Sequence, residues 1–403
     1  MNNKKIAFII CVNNEMYFQE CLWYINRLSV PDGYEIDVIA IREANSMCAA
    51  YNVAMKSSCA KYKIYLHQDV MIRNNCFLED IIRLFQADPT VGMIGMIGGT
   101  HLPKTGVVYR AWNFGVVDCR DPDMSYYLAG AKDTGMQGTI VEAVDGLLIA
   151  TQYDIPWRDD LFVHFDFYDI SQSFEMRKAG YRILVPYQKE PWVVHDAGFA
   201  KLTYYDGERK KCLAEYPQFL YADGGFEFFY DRQWNELSDL LVEQLKQLIE
   251  LRNWEQIETL LESYCKMNRK SSNLEVIRIL NNIHKKEEKA HVNIKFFDDT
   301  LDYQSLYEKY MKIRFKLRRM ELGLEKSTYE DLINAIRNNL ISCEALIEII
   351  LHAVIDKKTV VHKIAEIYYK EGDRGSYMKC KRIYELVEKT PFPITYCGKK
   401  QSI

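Results

Sequence analysis

The chain has 403 residues, 48% of them apolar and 27% charged, and a formal net charge of −4. That length exceeds what one hydrophobic core organises well, so about two domains are expected; a mildly acidic chain without a basic stripe makes nucleic acid a poor partner. No run approaches the ~18 consecutive apolar residues of a membrane helix, which leaves only peripheral membrane contact open.

The first apolar run, IAFIICV (6–12), is too short for a secretory apolar region with a cleavage site and reads as a strand. EMYFQECLWYINRL follows with helical spacing, then the strand-like EIDVIAI (35–41) and the helical SMCAAYNVAMKSS. KIYLHQ, CFLEDIIRLF and VGMIGMIGG (91–99) repeat the alternation. Strand–helix–strand order predicts a mostly parallel sheet with right-handed crossovers, whose ligands gather at the carboxyl ends of the first three strands.

Three polar clusters stand at those ends: Asn13, Asn14 and Glu15 after the first strand, Arg42, Glu43 and Asn45 after the second, and His67, Gln68 and Asp69 after the third. Each is explained by helix capping or turn formation when taken alone, yet Asn and Glu side chains beside a helix N-terminus also suit a nucleoside. No G-x-G-x-x-G or Walker glycine pattern is present, which disfavours the usual dinucleotide and ATP modes.

Further on, VHFDFYDISQSFEMRKAGYRILVP (163–186) places His164, Asp166 and Asp169 ahead of an amphipathic helix, where an ionised carboxylate is either a cap or a general base. In PWVVHDAG (191–198), His195 follows an apolar run and could complete a carboxylate–imidazole pair with Asp69 around a divalent ion. The eleven cysteines show no C-x-x-C and no zinc-ligand spacing, a pattern that suits reduced thiols in a cytoplasm.

After about residue 235 the strands give way to helical patterns. Leu237, Leu240, Leu241, Leu245 and Leu248 share a helical face, and Ser327 with Glu330 forms a helix start signal. Residues 231–403 are therefore expected to form an all-α domain behind an α/β domain spanning 1–230. IELRNWEQIETLLESY and IYYKEGDRGSYMKCKRIYELVEKTP look like tetratricopeptide-type hairpins, but no period links them, and an irregular bundle is the simpler reading. A helical repeat would imply a protein partner or a dimer.

From about residue 4 to 220 the order of segments resembles the family 2, GT-A-fold glycosyltransferases, most of all the branch named for the StrF protein of streptomycin biosynthesis. The resembling segments are NNE, HQDV, VDGLLIA (144–150), YDIS followed by EMRKAGYRILVP, and VVHDAG. The resemblance implies a Rossmann-like nucleotide-diphospho-sugar transferase domain. It implies a nucleotide-sugar donor, UDP-sugar favoured, whose diphosphate is held by Mn2+ or Mg2+, and inverting transfer to a hydroxyl of a glycan or other acceptor. His67 stands where the first carboxylate of an Asp-x-Asp motif would, leaving Asp69 and His195 for the metal. Counting back from Ala179-Gly180-Tyr181 makes Asp169 the base, with Asp166 in reserve; Tyr168 then replaces a Glu and Ser171 a second Asp. Asp145, Gly146 and His164 fall to the sugar or acceptor. Asn13 to Glu15, Arg42, Glu43, Asn45, Gln68 and Asp69 fall to the nucleotide. The departures at His67, Tyr168 and Ser171 also fit a GT-A-like binding module without turnover.

Overall fold

Strand β1 (Asn2–Val12) lies inside a sheet, so Ile6 to Ile10 are buried on both faces. The computed structural model describes residues 2–108, 111–119, 127–129, 137–196, 202–224, 232–265, 272–292, 296–298, 302–321, 334–335, 338, 340–353 and 357–389. The chain divides into two compact units between Asp231 and Arg232.

In the first unit, helix α1 (Glu15–Ile25) connects β1 to β2 (Glu35–Arg42), and α2 (Met47–Ser57) connects β2 to β3 (Ala60–His67). Both helices start at side-chain caps: Asn14 Oδ1 accepts from Met16 and Tyr17, and Ser46 Oγ from Ala49. β2 and β3 flank β1 on opposite sides, both parallel to it, with Val12 opposite Arg42 and Cys11 opposite His67. The winding direction therefore reverses at β1, and a crevice opens beside its carboxyl end.

The chain continues through β4 (Val70–Ile72), α3 (Phe77–Ala87), β5 (Val91–Gly95), β6 (Ile97–Gly99), β7 (Phe114–Cys119), β8 (Tyr127–Ala129), β9 (Gly138–Val141), β10 (Ala143–Val144) and β11 (Leu148–Thr151). Then come α4 (Tyr168–Lys178), β12 (Arg182–Pro186), β13 (Val193–His195) and α5 (Tyr205–Glu215). Among the described residues the main sheet has the order β2-β1-β3-β11-β5-β12-β9. The expected parallel pairing is found at β2-β1-β3 and β5-β12, while β11 runs antiparallel to both β3 and β5, and β9 antiparallel to β12. Because β11 is reversed, its first residue Leu148 pairs with Leu66 near the end of β3, and the loop before it reaches the crevice edge. A second sheet, β10-β6-β7-β13-β4 with β8 on β7, brings β13 antiparallel to β4, with His195 opposite Val70.

Buried Lys63 sits within β3 and is satisfied by Ala60 O at 2.7 Å and Asp154 Oδ1 at 2.8 Å. The nine cysteines whose side chains are described are all free.

The second unit is helical where described: α6 (Arg232–Glu250), α7 (Trp254–Cys265), α8 (Ser272–Lys289), α9 (Tyr303–Glu321), α10 (Cys343–Ala353), α11 (Lys357–Lys370) and α12 (Arg374–Lys389). The leucine face expected on α6 is only half right: Val242, Leu245, Leu248 and Ile249 are buried, whereas Leu237 and Leu240 are 50% and 70% exposed. Leu240 precedes Val242 by two residues, roughly 200° round the helix, so the two cannot share one buried arc. Positive backbone φ at Arg252 and Gly372 turns the chain between α6 and α7 and between α11 and α12. The helix start signal at Ser327 and Glu330 lies outside the described residues. No described helix is long and apolar enough to cross a membrane.

Candidate active site

At the crevice, the Gln68 side chain ties the end of β3 to the loop after β1. Its Oε1 accepts from Asn13 N at 2.9 Å and Asn14 N at 2.8 Å, while Nε2 donates to Asn13 Oδ1. Asn14 is committed to capping α1. Glu15, opening α1, and Arg42, ending β2, form an exposed 2.6 Å ion pair, and the Arg42 hydrogen bond holds the Glu15 carboxyl below its usual range. Glu43 adopts φ +55°, a conformation uncommon outside glycine that recurs at ligand-facing turns, and Asn45 is exposed. A cavity of about 440 Å³ opens between Asn13, Glu43, His67, Asp69 and Phe165, within the usual size of ligand pockets.

Pairing of β4 with β13 sets His195 beside Asp69, reinforced by Asp196 N donating to Asp69 O at 2.9 Å. His195 Nε2 lies 3.5 Å from Asp69 Oδ1 and 3.4 Å from His67 Nδ1, and one ligand atom from each of the three falls within 4.8 Å of the others. Asp69 Oδ1 is shielded from solvent and accepts no well-formed hydrogen bond, His195 Nε2 approaching it only to 3.5 Å. Burial would raise the Asp69 carboxyl, but the close approach and charge of His195, with the charge of His67, outweigh it and keep it low. Burial likewise lowers both imidazoles; at His195, Asp69 and Cys119 reverse that and raise it well above the ordinary range. A buried carboxylate oxygen without a well-formed hydrogen bond, facing two imidazole nitrogens, is a donor set that fits a divalent cation.

The loop before β11 and the start of α4 form the other wall. Asp145 accepts from Trp112 Nε1 at 2.9 Å and from Leu147 N at 3.0 Å. Asp169 accepts from Gly146 N and Ile170 N, each at 2.8 Å. Burial first, and the negative charge of Asp145 second, push the half-buried Asp169 carboxyl up to about 7 despite those N–H donors. Tyr168 joins this wall to the His67–Asp69–His195 cluster, its hydroxyl 2.5 Å from His67 Nε2. A Cβ on Gly146 would lie 2.0 Å from that hydroxyl, so only glycine fits there. Ser171 is fully buried and donates to Tyr168 O at 3.0 Å.

His164 and Asp166 belong to a neighbouring cluster. His164 Nδ1 is 2.6 Å from buried Glu208, its ring stacks on Tyr204 at 3.8 Å, and its carbonyl accepts from Met47 N at 3.1 Å. Burial and then the charge of Glu208 push Asp166 up to about 6, with His164 opposing. Between Asp166 and Asp169, Phe167 takes φ +60° immediately before α4, which lets residues either side turn differently. Sequence reasoning gave Tyr168 and Glu208 no role. Tyr168 carried one weak signal, its place beside Asp169; Glu208 carried none.

A crevice at the reversal of an α/β sheet, walled by a His67–Asp69–His195 triad on one side and a carboxyl pushed up by burial on the other, has the form of an enzyme active site. Residues 7–216 match the model of the glycosyltransferase like family, and the chain belongs to that family. It is a glycosyltransferase of the family 2 kind, its GT-A-type α/β domain followed by helices. No curated protein matches the chain. Among solved structures, the mannosyltransferase PcManGT from Pyrobaculum calidifontis in complex with GDP-Man and Mn2+ is similar at 13% identity, covering 89% of each chain with a TM-score of 0.32.

Proposed function

We propose that the chain moves a sugar from a nucleotide-diphosphate donor to an acceptor hydroxyl with inversion, Asp169 acting as the general base. The observation that carries this reading is the Asp169 carboxyl, pushed up to about 7 and held by Gly146 N–H at 2.8 Å. A base poised near neutrality can take the acceptor proton as its oxygen attacks the anomeric carbon, and one displacement inverts that carbon. The nucleotide would occupy the cavity beside Asn13, Arg42, Glu43, Asn45 and Gln68, whose contacts fix the loops around it. Asp145 and Gly146 orient Asp169, and His164 with Asp166 borders the acceptor side. Asp69 and His195 would hold a divalent ion, which when bound neutralises the leaving diphosphate. The StrF-like branch remains the family subdivision that the order of segments favours.

The test is a screen of nucleotide sugars for binding, hydrolysis and transfer, with and without Mn2+. Donor binding weakened at least tenfold by Asp69→Ala, about 1.4 kcal/mol, supports the site; binding indifferent to that substitution and to every cation removes it. We further propose that residues 1–230 and 231–403 are separate domains, tested by limited proteolysis. Release of a stable fragment cut between residues 222 and 238 supports this. Cleavage only inside one half refutes it.

A further inference from the structure

The departure at His67 and the departure at Tyr168 touch each other: the histidine that replaces an expected carboxylate has its Nε2 2.5 Å from the phenol that replaces an expected Glu. The opposite ring nitrogen, Nδ1, is turned to His195 Nε2 at 3.4 Å and toward Asp69. A metal-ligating histidine usually presents one nitrogen to the ion and donates its other N–H to an oxygen, which fixes both tautomer and ring orientation. Tyr168 supplies that oxygen here. Its own position is set from below by Gly146, where even a Cβ would not fit, and by burial of the ring, which is 4% exposed.

We propose that His67 is a third metal ligand, held by Tyr168 as a positioning residue, so that the site is a two-imidazole, one-carboxylate donor set selecting a nitrogen-preferring transition ion over Mg2+. The inference rests on the cation reading of the site but adds its composition and selectivity. Oxygen-only sets suit Mg2+ and Ca2+, whereas imidazole nitrogen favours later first-row ions. With an ion in place of the His195 proton, Asp69 supplies the charge that two neutral imidazoles lack.

The experiment is a metal titration of the full-length protein by calorimetry with Co2+, Zn2+ and Mg2+, with the visible absorption of bound Co2+ as a readout independent of turnover. Wild type should bind Co2+ and Zn2+ at least tenfold more tightly than Mg2+. His67→Asp, which restores the Asp-x-Asp pattern, should weaken Co2+, change its spectrum and narrow or reverse the preference. Tyr168→Phe, which keeps the packed ring, should weaken Co2+ by about 10- to 100-fold while leaving thermal unfolding of the metal-free protein near wild type. An unchanged ion preference and Co2+ spectrum in His67→Asp overturn the third ligand, and wild-type Co2+ affinity in Tyr168→Phe overturns the positioning role. If Asp69→Ala abolishes Co2+ binding while His67→Asp leaves the ion preference unchanged, the inference fails and the cation site stands. If Asp69→Ala changes nothing, the cation reading falls with it.

Discussion

Asp169 Oδ2 accepts the backbone N–H of Gly146 at 2.8 Å, tying the first turn of α4 to the loop that carries Asp145. The two acidic residues are thereby brought from opposite ends of a long excursion into one electrostatic unit, in which Asp145 raises its neighbour's affinity for a proton.

That unit sets a kinetic expectation. With its carboxyl up to about 7, Asp169 is half protonated near neutrality, so transfer should fall on acidification with a midpoint close to pH 7. Asp169→Asn should leave donor binding intact and lower transfer by about 10² to 10⁴. Asp145→Asn should move the acid limb to lower pH, because it removes the charge that raises the base. An acid limb that does not move in that variant, in steady-state profiles of kcat/KM, contradicts the coupling.

The same carboxyl makes a stability prediction whose sign follows from linkage. Its folded-state value lies above that of an unfolded chain, so its contribution is fully present below pH ~3.9 and is lost as pH rises through about 7. Asp169→Asn removes that dependence. Its stability relative to wild type should therefore improve between pH 4 and pH 8 by roughly 1 to 4 kcal/mol, whatever constant amount the lost hydrogen bond costs. Denaturant melts at the two pH values check this.

Gly146→Ala should be costly for a steric reason, since the added carbon would sit 2.0 Å from the Tyr168 hydroxyl and 2.5 Å from its Cζ. A destabilisation of about 1 to 3 kcal/mol is expected, together with loss of transfer as Asp169 is displaced. Combining it with Tyr168→Phe should recover part of the stability, because the nearest clash goes while the ring carbon remains. Full additivity of the two substitutions in thermal melts would show that they do not share that space.

Gln68 gives a test of loop organisation separate from chemistry. Gln68→Ala leaves Asn13 N and Asn14 N without their acceptor, and donor affinity should drop about tenfold, or ~1.4 kcal/mol. Gln68→Glu keeps the acceptor and loses only the bond to Asn13 Oδ1, so it should bind better than the alanine variant. Equal affinities in a nucleotide-sugar titration would assign the effect to something other than those two N–H groups.

How much of this could be read from the sequence differs from residue to residue. The uninterrupted apolar run of β1 betrays a strand covered on both faces, and with it the crevice beside Asn13 and His67. Asp69 and His195 were legible as a pair because each ends an apolar run and carries a metal-capable side chain. Tyr168 was not, since a tyrosine before a helix looks like packing until a contact 101 residues away in sequence gives its hydroxyl a partner. Leu237 and Leu240 misled because leucines spaced for a helix do not say which arc is covered. The reversal of β11 left no trace, as LIAT is apolar in either direction.

The His67–Asp69–His195 cluster joins His67 to His195 across 128 residues of chain, with Asp69 beside the first and Cys119 paired in β7 with the second. At a synthesis rate of about 5 to 20 residues per second, the interval between making the two imidazoles is on the order of ten seconds. During that interval β2, β1 and β3 can pair with one another, and His67 and Asp69 stand at the end of a growing sheet without their third member. The three side chains therefore come together only when β13 docks on β4, so on the proposed cation reading metal selection belongs to the end of folding, and a chain interrupted before His195 lacks one of the three donors.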